Sequence, residues 1–230
     1  MRPTDQVLDE LATTVLVDEP RDAVLARVTA LAREAIGPAE DVSLTLLEGE
    51  RAFTAAHTGQ LALDADELQY ERGAGPCMDA ARAGVVLVVS DMATEERWPS
   101  YAPAAAAKGV GSSLSVPLPV QVSTIGGLNV YSTSTHAFDD PDVVALSQRV
   151  AQLAAVVIAN ATSYASALDQ ARQLSEAMAS RAVIEQAKGI IMGARRCSAD
   201  DAFAELARAS QHANRKLRDL AVEITQGVIR

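Results

Sequence analysis

The sequence predicts an α+β fold: an antiparallel sheet flanked by helices, then a long coiled-coil-like helix, then a short three-helix module. Three observations predict it. Apolar residues alternate at strand period in four runs, near 42–46, 52–56, 113–120 and 125–131. Beyond Asp140-Pro141, apolar or small residues recur in steps of four and three from Leu146 to Met178 with no Gly or Pro between them. Finally, the charge reverses near the end: residues 181–230 hold nine Lys and Arg against six Asp and Glu, net +3, whereas the first 180 hold eleven against twenty-four, net −13.

The elements follow in order. Val7, Leu8, Leu11 and Val15 have helical spacing over 4–17, and Val24, Leu25, Val28, Leu31 and Ala35 share one face of a second helix that stops at Gly37-Pro38. Val42, Leu44 and Leu46, a turn at Gly49 and the run Ala52 to Ala56 form a hairpin. Residues 61–72 are helical, Gly73 to Pro76 breaks the pattern, and Val85 to Val89 is an extended run rich in β-branched residues. Ala93 to Lys108 is a loop with short helical pieces; strands Ser113 to Val120 and Ile125 to Tyr131 then join around Gln121 to Thr124. Asp140-Pro141 starts the long helix, with the acid as cap and proline at the first helical position.

Up to about Ala159 that helix packs on the sheet. The later seam, through Leu153, Val157, Asn160, Tyr164, Ala167, Ala171, Leu174 and Met178, is better served by a partner helix, and a parallel homodimer is the simplest partner. The terminal module continues the long helix through Ile184, Ala187 and Ile191. A second helix is capped by Ser198, with Phe203, Leu206, Ala207 and Ser210 on one face. A third follows Asn214, with Leu217, Leu220, Ala221, Ile224 and Val228 on one face and Arg208, Arg215 and Arg218 toward solvent.

Composition, at 49% apolar and 22% charged, is that of a globular protein of one or two domains. The N-terminus MRPTDQVLDE has acids where a secretory signal needs an apolar run, and no stretch approaches the roughly eighteen apolar residues of a membrane span, so the expected location is the cytoplasm. Cys77 and Cys197 lack the spacing of a zinc site or a disulfide framework, so no metal is expected. A basic tip on an acidic body is where a nucleic acid docks.

The segment SRAVIEQAKGIIMGARRCSADDAFAELARASQHANRKLRDLA, within about fifty-five residues from Leu174 onward, resembles the ANTAR domain, with IEQAKGIIM, DDAFAEL and AN-KL as its specific parts. The resemblance implies a three-helix module that binds paired RNA stem-loops in a leader transcript, usually as a dimer, and favours the antiterminator over the terminator hairpin. The residues agree to different degrees. Arg181, Lys188 and Arg195, spaced by seven, line one helical face and suit a phosphate backbone. Gly189, inside a helix at a cost of about 1 kcal/mol relative to Ala, admits close approach of either RNA backbone or a neighbouring helix. Gln186, Ser210, Asn214 and Arg215 supply hydrogen bonds for loop bases, with capping or solvent exposure as the alternative, and Arg208 and Lys216 add charge. Phe203, the module's one aromatic, reads as buried, which leaves stacking to arginine planes.

Residues 20 to 160 resemble a GAF domain through GAGPCMDA, VSDMATEERWPSYA, GVGSSLSVPL, IGGLNVYS and the following AFDD, most like those fused to ANTAR modules in actinobacteria. This implies a sensory input of unknown cofactor or ligand, since neither the NKFDE-type motif of cyclic-nucleotide binders nor a bilin-attaching Cys-His pair is present. Tyr70, Cys77, Met78, Met92, Trp98, Tyr101 and Tyr131 are the expected surroundings of a pocket, or else a filled core. Cys77 follows Gly75-Pro76 near a helix start, where the macrodipole favours a thiolate suited to redox sensing; the alternative is a small buried hydrophobe. The expected organisation is a sensory domain over 1–160, a linker helix over 161–180 and an RNA-binding module over 181–230. The expected activity is regulatory, not enzymatic, with tandem stem-loop RNA, a second copy and an unidentified small molecule as partners and no membrane. A GAF-type methionine sulfoxide reductase using Cys77 lacks a nearby resolving thiol. DNA binding by a helix-turn-helix lacks the tight glycine near Cys197.

Overall fold

A computed structural model describes residues 2–13, 19–49, 51–120 and 123–227. Three positions used in the sequence reading, Val15, Gln121 and Val228, lie outside these residues. The sheet has the order β2-β1-β5-β4-β3 and every neighbouring pair is antiparallel. Its strands are β1 (Asp41–Glu48), β2 (Arg51–His57), β3 (Leu87–Val89), β4 (Ser112–Val120) and β5 (Ser123–Ser132). The extended run at Val85 to Val89 thus yields only a three-residue edge strand, because Val85 follows directly on Gly84, the left-handed C-cap of the preceding helix.

The chain divides into two units, Met1–Ala165 and Ser166–Arg230. In the first, register puts Val42, Leu44, Leu46, Leu114, Val116, Leu128 and Val130 on one sheet face, where helices α1 (Thr4–Ala12), α2 (Arg21–Ala35) and the first part of α6 (Pro141–Arg195) cover them. Val24, Leu25, Val28 and Leu31 from α2 and Val150, Ala154, Val157 and Ile158 from α6 complete this core. Each fully buried Val, Leu or Ile contributes about 1.5–3 kcal/mol, so this layer dominates the stability of the unit. The opposite face carries Ser43, Thr45, Ser113, Ser115, Asn129 and Tyr131, yet all six are buried, under α3 (Gln60–Arg72), α4 (Pro76–Ala83) and α5 (Ala102–Ala107).

Long-range caps position those covering helices. Asp41 of β1 accepts from the backbone N–H of Leu61 in the first turn of α3 at 3.2 Å, and Gln69 of α3 accepts from the N–H of Cys77 in the first turn of α4 at 2.7 Å. A side chain at Gly75 would overlap the Gln69 amide, so this close approach requires glycine.

Helix α6 spans 55 residues without interruption. Contrary to the sequence expectation, it contains an 18-residue window of mean hydropathy 1.5, long and apolar enough to cross a membrane by length and composition. The inner side of α6 from Val150 to Ala161 belongs to the core over the sheet.

In the second unit, α6 continues to Arg195 and is followed by α7 (Ala199–Ala213) and α8 (Leu217–Thr225). Ala187, Ile191, Ala202, Leu206, Leu220 and Ala221 form its core. Ser198 and Asp201 make a reciprocal capping box at the start of α7, and Asn214, at φ 50°, is its left-handed C-cap.

Candidate functional site

The buried polar face of the first unit converges on Asp66. Its carboxylate, fully buried, accepts hydrogen bonds from the Tyr131 hydroxyl (2.6 Å), the Thr54 hydroxyl (2.7 Å) and the Asn129 amide (3.3 Å). Burial drives its pKa up, against the lowering effect of these donors. A directional chain follows from proton counting. Thr54 spends its one proton on Asp66, so Tyr70, 3.0 Å away, donates to Thr54; Thr45, 2.8 Å from Tyr70, donates to Tyr70. The Cys77 thiol in turn donates to Thr45 at 3.2 Å. Three strands and two helices are tied together by protons that all point toward one acid.

This arrangement settles the state of Cys77. The helix start is present, but burial outweighs it and pushes the thiol up to about 12, with the Asp66 charge adding to the effect. Of the two readings of Cys77, the buried, neutral thiol fits the structure and the macrodipole-favoured thiolate does not. Met92, Trp98, Tyr101 and Tyr131, expected around a pocket, instead fill a second core cluster with Ala62, Ala65 and Val110. Tyr70 and Met78 do line a cavity, of about 530 Å³, together with Arg51, Phe53, Thr54, Leu63 and Glu67. Its floor meets the chain to Asp66 at Thr54 and Tyr70. Four buried polar atoms on this side of the sheet, the Tyr101 hydroxyl, the Ser113 and Ser115 hydroxyls and the Asn129 amide oxygen, have no partner among the described residues.

Sequence reasoning does not single out Asp66 and Asn129. The available signal is the repetition of polar residues two apart on adjacent strands, at Ser43 and Thr45, Ser113 and Ser115, Asn129 and Tyr131. Such alternation reads as a solvent face until a helix with an acid on its inner side is placed over it.

The second unit carries the basic residues expected to contact RNA. Arg181, Gln186, Gly189, Arg195, Arg208, Asn214, Arg215 and Lys216 are exposed, while Lys188 and Ser210 are partly covered. Lys188 pairs with Glu185 at 2.9 Å, Arg195 with Glu205 at 3.4 Å, and Arg215 bidentately with Glu223. Among the described residues, Arg181, Arg196, Arg208, Lys216 and Arg218 make no ion pair. Ser210 and Asn214 have structural work: the Ser210 hydroxyl donates to the Arg215 carbonyl at 2.5 Å, and Asn214 ends α7. Among the described residues, a methyl at Gly189 would meet nothing within 4 Å, and the same holds for Gly193 one turn on. Packing among the described residues requires neither glycine.

Phe203 corrects the expectation of a buried ring. It is 47% exposed, because Ala202 and Leu206, not Phe203, point into the small core, and the Lys188 ammonium lies 6.0 Å from its centroid. A separate apolar cavity of about 410 Å³ lies within the unit, lined in part by Ile190, Ile191, Leu206, Leu220 and Ile224.

Along α6 the seam changes character. Val150 and Val157 are buried and Leu153 half-buried, whereas Asn160, Tyr164, Ala167, Ala171, Leu174 and Met178 are exposed, Leu174 at 63% and Met178 at 66%.

Comparison with known proteins agrees with both units. The GAF domain family matches residues 18–159 and the ANTAR domain family residues 172–224. No curated protein matches the chain. Among solved structures, it is similar to the free methionine-R-sulfoxide reductase of Neisseria meningitidis in complex with its substrate (23% identity, TM-score 0.54, covering 70% of this chain and 91% of that one). It is also similar to the GAF domain of a phosphoenolpyruvate-protein phosphotransferase from Coxiella burnetii (19%, 0.55, 71% and 96%). A third likeness is to the phycocyanobilin-bound GAF domain of a cyanobacterial phytochrome (17%, 0.55, 70% and 96%). At these identities the likeness shows the fold. With the GAF match over more than half its length, the chain belongs to the GAF domain family and carries an ANTAR domain behind it, a GAF-ANTAR two-domain regulator.

Proposed function

We propose that this chain is a cytoplasmic, RNA-binding transcription antitermination regulator, in which a sensory domain over 1–160 acts through a linker helix over 161–180 on an RNA-binding module over 181–230. The observation that carries the reading is the ANTAR match over a module whose Arg181, Arg208 and Lys216 are exposed and free of ion pairs among the described residues. The open surface at Gly189 supports it, since a helix-interior glycine that packing among the described residues does not require leaves room for a partner to approach the backbone. The module binds tandem stem-loops as a parallel homodimer through the α6 seam. The exposure of Leu174 and Met178 supports that partner, because a second copy in register presents the same apolar residues to them. The first unit senses a small molecule, with the cavity at Tyr70 and Thr54 as its entry. A cysteine-dependent reductase draws no support from Cys77, a neutral thiol buried beneath α3 and the sheet.

The test is a titration of the full chain with a two-hairpin RNA, a single hairpin and a DNA duplex across a range of salt. All three weaken as salt rises, so the informative result is a preference for the two-hairpin RNA at matched salt. Equal affinity for the three refutes the antitermination reading.

A further inference from the structure

Charge alone does not suffice for recognition on the flank of α6 that faces Phe203. Of its three basic residues, Lys188 and Arg195 are already matched by Glu185 and Glu205, which leaves Arg181 as the unmatched cation among the described residues. Any RNA held there by phosphates alone would be held weakly. The same flank nevertheless presents a large π surface. Phe203, 47% exposed, stands on the first turns of α7 with the Lys188 ammonium 6.0 Å from its ring centroid. Lys188 itself is held in place by both oxygens of Glu185, at 2.9 and 3.0 Å.

We infer that Phe203 is the platform on which an unpaired base of the bound RNA stacks, with Lys188 fixing the ring and Arg181, two turns back along α6, taking a neighbouring phosphate. This rests on the RNA-binding reading above and names the part of the RNA that the module reads. The occupant is a nucleobase because a flat, polarisable partner satisfies a ring bordered by a cation, and the surrounding cations attract a polyanion; a paired stem keeps its base faces covered and offers no such partner. Single exposed apolar residues are ordinary on protein surfaces. What separates Phe203 is its position beside a cation on a module of net positive charge.

The experiment uses the full chain and an RNA hairpin whose loop carries 2-aminopurine, beside a fully paired RNA of equal length. Phe203→Leu keeps apolar bulk and removes the π face, whereas Phe203→Tyr keeps both. With wild type and Phe203→Tyr, the fluorescence of the loop base is quenched on binding. With Phe203→Leu, quenching is lost and hairpin affinity falls roughly ten-fold, while affinity for the paired RNA and the salt slope stay unchanged. Circular dichroism verifies that both variants keep their helices. Three results overturn the inference: unchanged hairpin binding by Phe203→Leu, equal weakening toward both RNAs, or a change in oligomeric state. A wild type that binds hairpin and paired RNA equally overturns the inference before any variant is compared, whereas one that binds neither RNA better than a DNA duplex refutes the RNA reading itself.

Discussion

Asp66→Ala, compared with Asp66→Asn, tests whether one buried acid organises the polar side of the sheet. Alanine leaves the Tyr131 and Thr54 hydroxyls, now 2.6 and 2.7 Å from the carboxylate, without an acceptor. A buried donor left unmatched costs about 1–3 kcal/mol, so the two together cost about 2–6 kcal/mol. Removing a desolvated charge acts in the opposite direction, and the Asn129 amide still has Ser43, Thr45 and Cys77 within reach. The expected net loss is about 2–3 kcal/mol. Asparagine keeps one oxygen for Tyr131 and presents its N–H to the Thr54 oxygen, so only the Thr54 proton loses its acceptor while a buried charge is removed. Its expected cost at neutral pH is below about 1 kcal/mol. The pH dependence has a definite sign. Burial raises the Asp66 pKa in the folded state, so its stabilising contribution is complete below the unfolded value of about 4 and is lost as pH rises through the folded value. Glu95 and Asp139, lowered by Arg97 and by Ser90, act with the opposite sign as pH falls, and subtraction of the Asp66→Asn curve removes them. Urea unfolding from pH 4 to 8 can be followed by Trp98, the only tryptophan, which is buried in the first unit with its indole N–H on Asp79. Identical pH profiles for wild type and Asp66→Asn, or an Asp66→Ala protein as stable as wild type, refute the reasoning.

Gly126→Ala would drive a methyl into the Thr45 carbonyl oxygen between β1 and β5, and a loss of about 2–4 kcal/mol is expected in the same assay. Gly127→Ala, whose nearest neighbour is the Asn129 amide oxygen at 3.5 Å, should be tolerated far better; equal losses would contradict the local packing. In the native protein at pH 8, a thiol reagent should modify the partly exposed Cys197 and reach Cys77 only on unfolding, and two fast-reacting thiols would contradict the buried, neutral state. Gly189→Ala should stabilise α6 by about 1 kcal/mol, since the added methyl meets nothing, while weakening binding to a hairpin RNA. Unchanged affinity would show that the glycine is not where RNA approaches.

Periodicity makes most of the fold legible. The strand runs at Val42 and Ser113, the cap at Ser198 and the unbroken pattern after Pro141 each rest on local geometry, and each appears where that geometry places it. Two differences between expectation and structure share one cause. An apolar ring such as Phe203 reads as buried, although the alanines of α7 and α8 make a core too small to need it. The polar alternation on β1, β4 and β5 conceals a buried face for the complementary reason, since no strand by itself records which helix covers it. Asp66 is equally hidden: an acid beside Ala65 on a helix reads as solvent-facing until its partners on other strands are known. Local period reports the element, whereas the use of a face depends on residues distant in sequence.

The long helix brings these points together. Residues 166–179 of α6 are exposed throughout, and among their side chains Arg172 pairs with Asp169 at 4.0 Å, a weak surface interaction. A solvated helical stretch of that length is marginal by itself. It also exposes Leu168, Leu174 and Met178, whose burial against another helix would contribute on the order of 1–2 kcal/mol each. Under the proposed dimer, the stability of this stretch therefore depends on how well two seams meet, while its ends are fixed by separate cores at Val150 to Ala161 and at Ala187 to Ile191. A stretch that is weak alone and strong when paired is suited to carry a signal, because a small change in seam packing is comparable in energy to the stretch's own stability.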